Sequence, residues 1–304
     1  MNRCLICNIK TKVVQNDLKD DRYGCPGGFS IFECKNCTFA QLSKRLSKSE
    51  ITKIYSKYYQ TKNITPTEII NQAKSRHGPF WAWFLGTNNT AHYNISKSAK
   101  FVLDIGCGTG ASVLELKNLG LNASGIDPDP SAKRNGKALN LNIETGFVDS
   151  KKLKRNFYDV VTASQVIEHT PNPIYFLKKC KTLINKNGKI IISMPNYDSI
   201  FRKVFSSKWI NWHVPYHQDF FTKKSIKIVA KKCKLKISSI KTITPNLWTA
   251  IQLRSMIPVG NVWQDGHTLT SFATWALQYF LVSNRVIDYF GFGDSLLVVL
   301  THND

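Results

Sequence analysis

The run Val102-Leu103-Asp104-Ile105-Gly106-Cys107-Gly108-Thr109-Gly110 constrains this chain more than any other segment. A β-favouring stretch runs into glycines at alternate positions, and helix-forming sequence follows from Ala111. Such glycines let the backbone turn sharply and let a ligand approach closely, with the helix N-terminus exposed at the crevice. The alternation continues downstream. Short β-rich runs at Phe101–Ile105, Ala123–Asp127, Ile143–Val148, Asp159–Ala163 and Lys189–Met194 alternate with helical stretches around Ser112–Leu119, Ser131–Leu139 and Ile174–Ile184. This pattern predicts βαβ units and an α/β fold with a doubly wound, mostly parallel sheet. Thr222–Lys232 reads as a further helix, and Leu235–Thr244 and Ser295–Thr301 as two more strands. Between those strands, residues 245–290 form a long helical insertion.

Three carboxylates fall at the ends of successive strands. Asp104 stands two residues before the first glycine, Asp127 ends the second strand in Ile126-Asp127-Pro128, and Asp149 ends the third in Phe147-Val148-Asp149. Read loosely, Gly106-x-Gly108-x-x-Ala111 also fits a dinucleotide fingerprint, so the glycines alone do not choose the cofactor. Charge does. A carboxylate at Asp104 repels a pyrophosphate and attracts the sulfonium and ammonium of S-adenosylmethionine. Asp127 suits the ribose hydroxyls of either ligand. Asp149 can accept an adenine amine.

With those residues in view, the series DIGCGTG, GIDPDP, FVDS, FYDVVTASQVIEHTPNP and NGKIIISMPN resembles the class I S-adenosylmethionine-dependent methyltransferases, over about residues 90–240. The nearest likeness is to the subgroup acting on quinone precursors, sugars and small metabolites. The resemblance implies a Rossmann-like, seven-stranded sheet in order 3-2-1-4-5-7-6, with strand 7 antiparallel. It also implies that Gly106, Gly108 and Gly110 face the methionine part, Asp127 the ribose and Asp149 the adenine, with Ser164 and Gln165 on the donor's other side; Asp104, Cys107 and Pro128 complete the expected donor-binding set. Some bacterial sugar methyltransferases are similar in placing a zinc module before such a domain. This chain departs from them in having the 245–290 insertion where they carry a large C-terminal domain.

The cysteines supply that module. Cys4-Leu-Ile-Cys7 and Cys34-Lys-Asn-Cys37 are two CxxC knuckles, the pattern of a closed four-thiolate zinc site whose role is structural. Cys25 has no CxxC partner and reads as non-ligating. The expected organisation is a zinc-ribbon-like module over 1–42, a helical linker or lid over 43–98, and the methyltransferase domain over 99–304. The middle segment carries two aromatic concentrations, Tyr55, Tyr58 and Tyr59, then Phe80, Trp81, Trp83 and Phe84. Of these, Tyr58, Tyr59, Trp81 and Trp83 read as core residues before they read as a lid over the ligands.

On the acceptor side, a hydroxyl, acidic carbon or amine needs a base, with His the usual choice. His169 follows the fourth strand, at the carboxyl edge where ligands bind, and is one candidate; the other reading is a hydrogen bond that holds the loop. His217 is the second candidate, in a stretch that resembles the acceptor border of related enzymes. His213 and His217 have the spacing of a helical metal pair, but Pro215 lies between them and the glutamate of a metalloprotease is missing, so no metal is expected there.

The 42 Lys and Arg against 20 Asp and Glu give +22, which favours an anionic partner. However, 33 of the 42 are lysines, whereas nucleic-acid readers favour arginine. The expected function is therefore methyl transfer by in-line displacement to a small-molecule acceptor, such as a sugar or cell-envelope precursor. An RNA or protein methyltransferase is the alternative; against it, Ser164-Gln165-Val166 stands where base amino-methylation motifs would be. A catalytically inactive donor-binding protein is a third reading, which the intact Asp104, glycine turn and Asp127 oppose. MNRCLICNIK lacks a signal-peptide core, so a reducing, cytoplasmic setting is expected. Thr268–Ser283, with Phe272, Trp275, Ala276, Tyr279 and Phe280 at helical spacing, suits a pocket cover, with peripheral membrane contact as the other reading.

Overall fold

The computed structural model describes residues 3–58, 64–74, 77–96, 98–257 and 269–303, with the side chains of 269–272 outside that description. The strands are β1 (Lys12–Leu18), β2 (Phe29–Glu33), β3 (Ala40–Leu42), β4 (Phe101–Ile105), β5 (Asn122–Asp127), β6 (Asn142–Thr145), β7 (Tyr158–Ser164), β8 (Ile184–Pro195), β9 (Asp219–Phe220), β10 (Leu235–Ile243) and β11 (Ser295–His302). Seven of them form one sheet in the order β10-β11-β8-β7-β4-β5-β6. Counting only those seven along the chain, this is the expected 3-2-1-4-5-7-6. β11 runs antiparallel to both neighbours, while the β4–β5, β4–β7, β5–β6 and β7–β8 pairings are parallel. Such strands are covered on both faces, which is why β4 reads Phe-Val-Leu-Asp-Ile with its last four residues buried.

The helices are α1 (Lys48–Lys57), α2 (Pro66–Lys74), α3 (Pro79–Leu85), α4 (Ala111–Asn118), α5 (Pro130–Ala138), α6 (Pro173–Leu183), α7 (Ile200–Phe205), α8 (Lys223–Lys232), α9 (Asn246–Ser255), α10 (Leu269–Leu277) and α11 (Ser283–Tyr289). Their starts are written locally. Asp129 and Asn172 cap α5 and α6, each with proline at the first helical turn, and Thr222 with Ser225 forms a capping box for α8. β6 stops sooner than its sequence suggests, because the chain turns at Gly146 in the left-handed half of backbone space.

A second sheet, β1-β2-β3-β9, joins the N-terminal segment to the rest of the chain. β9 comes from beyond β8, and it pairs Ala40 with Phe220 and Gln41 with Asp219. The N-terminal segment is thus not a bead on a string. Cys4, Ile6, Cys34, Cys37 and Phe39 are buried in the same cluster as Leu103, Ile192 and Val229. Arg45 clamps β9 from the other side, pairing both guanidinium nitrogens with the fully buried Asp219 carboxylate.

The insertion between β10 and β11 carries α9, α10 and α11 and packs onto α3. Asn246 Nδ2 donates to Phe84 O (3.0 Å) and Gln278 O (2.9 Å), and Arg285 Nη1 donates to Trp83 O (2.7 Å). Among the described residues no helix is long and apolar enough to cross a membrane.

Candidate functional site

The turn after β4 uses its glycines in two ways. Gly106 has φ +71°, and a Cβ there would lie 2.5 Å from Val166 Cγ2; Gly110 has φ +89°, and its Cβ would lie 2.7 Å from Ile143 Cδ1. Those two are glycines because the chain packs against them. Gly108, at φ +55°, has nothing within 4 Å of its Cβ position, so it faces open space where a ligand can lie on the backbone. Cys107 points the other way, into the core: a Cβ on Gly125 would lie 2.6 Å from its sulfur.

The three strand-end carboxylates lie in different settings. Asp104 is buried, with Oδ1 accepting from Thr162 Oγ1 (2.7 Å) and Oδ2 from Ser112 Oγ, so it ties β4 to β7 and α4. Burial raises its pKa, and those two hydrogen bonds act against the rise. Asp127 is also buried and raised by burial; its Oδ2 accepts the Gly108 N–H and its Oδ1 the Asp129 N–H, each at 2.8 Å. It therefore holds the open glycine in place. Asp149 is more exposed and accepts from Lys48 Nζ (2.8 Å) and Tyr175 OH (3.1 Å), the lysine bond chiefly lowering its pKa. Lys48 belongs to α1, so the segment before β4 reaches over this end of the crevice. Pro128 is exposed beside Asp127. Ser164 Oγ accepts the Ala91 N–H (2.8 Å), and Gln165, at φ +55°, places its amide 3.4 Å from Ser193 Oγ.

One turn beyond Val166, the two candidate bases come together. The His169 and His217 rings are 4.6 Å apart at 74°, and the His213 ring lies 4.8 Å from that of His217. His217 Nδ1 is 2.8 Å from Asn211 O, and His169 Nδ1 is 3.0 Å from Tyr216 O and 2.9 Å from the Tyr55 hydroxyl. Carbonyls only accept, so both rings carry their proton on Nδ1 and keep a lone pair on Nε2. Burial pushes the His169 pKa down to about 4 and that of His217 well below its ordinary value, leaving both rings uncharged at neutral pH. Glu168 sits between them with no exposed surface, and burial pushes its carboxyl up to about 8.

Sequence reasoning passed over two residues that build this cluster. Glu168 was visible as an acid in an apolar run directly after a strand. Gln218 was not: it is fully buried, donates its N–H to Glu168 O (2.8 Å) and its Nε2 to His169 O (3.1 Å), and accepts the Leu46 N–H on Oε1 (2.7 Å). Leu42 at the end of β3 donates to its carbonyl (2.9 Å). A buried amide becomes such a hub only once two distant segments, 42–46 and 168–169, converge on it.

The aromatic residues of 43–98 divide. Tyr55 enters the His169 cluster, whereas Trp81 and Trp83 are about half exposed, at 49% and 50%, which corrects their reading as core. Short α3 turns them outward, and the rest of that surface is built by the insertion, with Trp81 meeting Tyr279 at 6.4 Å and Trp275 meeting Tyr279 at 5.2 Å. Tyr58 is half-buried; Tyr59, and the Phe272 side chain of the insertion, lie outside the described residues.

The N-terminal cysteines gather as their spacing predicts. Cys4 and Cys37 sulfurs are 3.4 Å apart, Cys7 and Cys34 3.3 Å, and Cys7 and Cys37 3.7 Å. Thiolates bound to one zinc ion at about 2.3 Å lie roughly 3.8 Å apart, so the set fits that ion. Each knuckle closes the same way, Asn8 N–H to Cys4 O and Thr38 N–H to Cys34 O (both 2.8 Å). Cys25 lies outside the cluster.

Against known proteins, residues 84–239, just over half of the chain, match the family described as methyltransferase domain. A ubiquinone biosynthesis O-methyltransferase from Coxiella burnetii (strain RSA 493 / Nine Mile phase I) is 32% identical over 108 residues, 34% of this chain and 46% of that protein. One of the same name from Paraburkholderia xenovorans (strain LB400) is 29% identical over 171 residues, 51% of this chain and 72% of that protein. The chain thus spans about half the length of the first of these relatives. Among solved structures, phosphoethanolamine N-methyltransferase 2 of Haemonchus contortus in complex with S-adenosyl-L-methionine aligns with a TM-score of 0.50 at 14% identity, covering 84% of this chain and 60% of that one.

Proposed function

Since this chain belongs to the methyltransferase-domain family, we propose that it is an S-adenosylmethionine-dependent methyltransferase that methylates a hydroxyl group of a small-molecule acceptor. When bound, the donor supplies a methyl carbon that passes in line to the acceptor oxygen as its bond to sulfur breaks. One observation carries the reading. The open backbone at Gly108 and the Glu168–His169–His217 cluster sit on neighbouring turns, linked through Val166, which closes over Gly106. A donor lying on Gly108 therefore has the cluster beside it.

In this reading Gly106, Gly108 and Gly110 shape the floor under the donor, Asp127 exchanges the Gly108 N–H for ribose hydroxyls, and Asp149 accepts the adenine amine. Asp104 fixes the turn through Ser112 and Thr162 and adds negative charge beneath a cationic ligand. His169 and His217, uncharged and with lone pairs on Nε2, receive the acceptor hydroxyl and accommodate the proton it gives up. The relatives' name, O-methyltransferase, supports oxygen as the acceptor atom. The four cysteines hold a structural zinc ion, with no open position for chemistry.

Isothermal titration with S-adenosylmethionine tests the donor half, where wild type should bind and Asp127→Asn should bind at least about tenfold more weakly, the worth of one charge-assisted bond. Release of S-adenosylhomocysteine with a panel of phenols, sugars and RNA tests the acceptor half. Turnover confined to RNA, or no donor binding at millimolar concentration, would overturn the proposal.

A further inference from the structure

Glu168 is the least explained side chain in the molecule. Both carboxylate oxygens are shut off from solvent, and neither has a hydrogen-bond partner. A buried carboxyl group that finds no hydrogen-bond partner for either oxygen is a costly arrangement for a fold to keep, whether charged or protonated. Arg45, in the loop after β3, is already committed, since it pairs with Asp219. What does face Glu168 is two ring nitrogens. His169 Nε2 and His217 Nε2 each lie 4.0 Å from Oε1, too far for a hydrogen bond. The ligand atoms of all three residues lie within 4.8 Å of one another.

The surroundings orient these atoms as ligands. Asn211 O and Tyr216 O hold the Nδ1–H groups, so each ring turns an Nε2 lone pair toward Glu168. A backbone carbonyl on the far nitrogen is the arrangement that fixes tautomer and ring angle in metal-binding histidines. Gln218 fixes the rest, bonding the backbone carbonyls of both Glu168 and His169. The sequence argument against a metal concerned His213 and His217 as a helical pair. In the fold His217 teams instead with residues almost fifty positions upstream, and Pro215 no longer matters.

We propose that Glu168, His169 and His217 bind one divalent first-row transition ion. Two imidazoles and one carboxylate suit zinc, iron(II), cobalt(II) or manganese(II), and disfavour calcium and magnesium, which prefer all-oxygen shells. Ligands around one such ion at about 2.1 Å lie roughly 3–3.5 Å apart, so the pairs of these three need draw together by roughly 0.5–2 Å. The His169 side chain, 19% exposed, marks the side from which a further ligand can reach the ion. The ion's place in methyl transfer rests on the acceptor reading above, with one change of role: with their Nε2 lone pairs on the ion, His169 and His217 would hold it rather than take the proton, while the ion would hold the hydroxyl oxygen and lower its pKa so that water takes the proton.

Cobalt(II) titration of the full-length, metal-stripped protein tests the site, because the two clusters differ in colour. Cobalt on thiolates gives an intense near-ultraviolet charge-transfer band, whereas cobalt on nitrogen and oxygen gives only weak visible bands. Wild type should take up two equivalents, one with each signature. Glu168→Gln and His217→Asn should each weaken the second equivalent at least a hundredfold, keeping the charge-transfer band and S-adenosylmethionine binding, which show that the variants fold. A wild type that binds only the thiolate equivalent overturns the proposal, and so does a second equivalent that survives both substitutions. Two equivalents in a protein that ignores the donor would instead sink the functional reading and leave the metal site standing.

Discussion

At the proposed donor crevice each carboxylate already has hydrogen-bond donors from the chain, Asp104 from Ser112 and Thr162, Asp127 from two backbone N–H groups and Asp149 from Lys48 and Tyr175. In the turn after β7, Glu168 is more deeply buried and its carboxyl group has no such donor. The contrast reflects how the two halves are assembled. The donor half comes from short, contiguous strand-turn-helix units, each able to satisfy its own polar groups. The proposed acceptor half is gathered from α1, the turn after β7 and the loop before β9, and it is held there by the N-terminal sheet. One half should therefore survive damage that dismantles the other.

The largest effect should come from the cysteines. Zinc sites of this kind are worth on the order of 10 kcal/mol of apparent folding energy. Cys37→Ser, or chelation, is expected to expose the backbone amides of Ala40–Leu42 and Asp219–Phe220 to hydrogen exchange. Donor affinity should fall less than about threefold, well under 1 kcal/mol. Loss of donor binding along with the N-terminal sheet would break the comparison.

Next comes Arg45→Ala, which leaves Asp219 buried without its partner, a change that costs about 3–5 kcal/mol when a buried pair is split. Urea denaturation measures it, and a loss under about 1 kcal/mol would show that β9 is held by its apolar neighbours instead.

The glycines sharpen the donor side. Gly106→Ala forces a left-handed residue against Val166 and should cost about 2–3 kcal/mol of stability as well as donor affinity. Gly108→Ala meets no atom of the chain, so only its φ is penalised, about 1 kcal/mol, yet its methyl group enters the ligand's space. Calorimetry with the donor should show the larger binding defect per unit of lost stability for Gly108→Ala. Wild-type affinity in that variant would place the donor elsewhere.

The smallest effect belongs to Lys48→Ala. Its ion pair with Asp149 is partly exposed, at 46% and 28%, and such pairs contribute less than about 1 kcal/mol, and less still in salt. A thermal-melt difference that persists in high salt would mean that α1 is pinned by more than charge.

The same division governs what could be read from the sequence. β4, β5, β7 and their helices were legible because their apolar runs, caps and glycines are local signals, and the sheet order followed from the motif series. β6 was overextended since Phe147 and Val148 look like strand residues, while Gly146 turns the chain first. β9 was invisible: two residues make no pattern, and Asp219 looks like a surface acid until Arg45 is seen beside it. His169 and His217 were singled out separately, but nothing local reveals that they share Glu168. Trp81 and Trp83 were misplaced for the opposite reason, because residue type favours burial and the short α3 has one side free.

Strand β9 has a practical consequence for anyone cutting or recombining this molecule. Because it belongs to one sheet by pairing and to the other by chain connectivity, the first forty-odd residues are not a detachable cassette. A truncation at the start of the methyltransferase motifs would strip β9 of its neighbouring strand β3, leave Asp219 without Arg45, and remove the Leu42 and Leu46 amides from Gln218. Chimaeras built to test the proposed acceptor side would have to carry this chain's N-terminal sheet and its 213–220 loop together, as a single heritable unit.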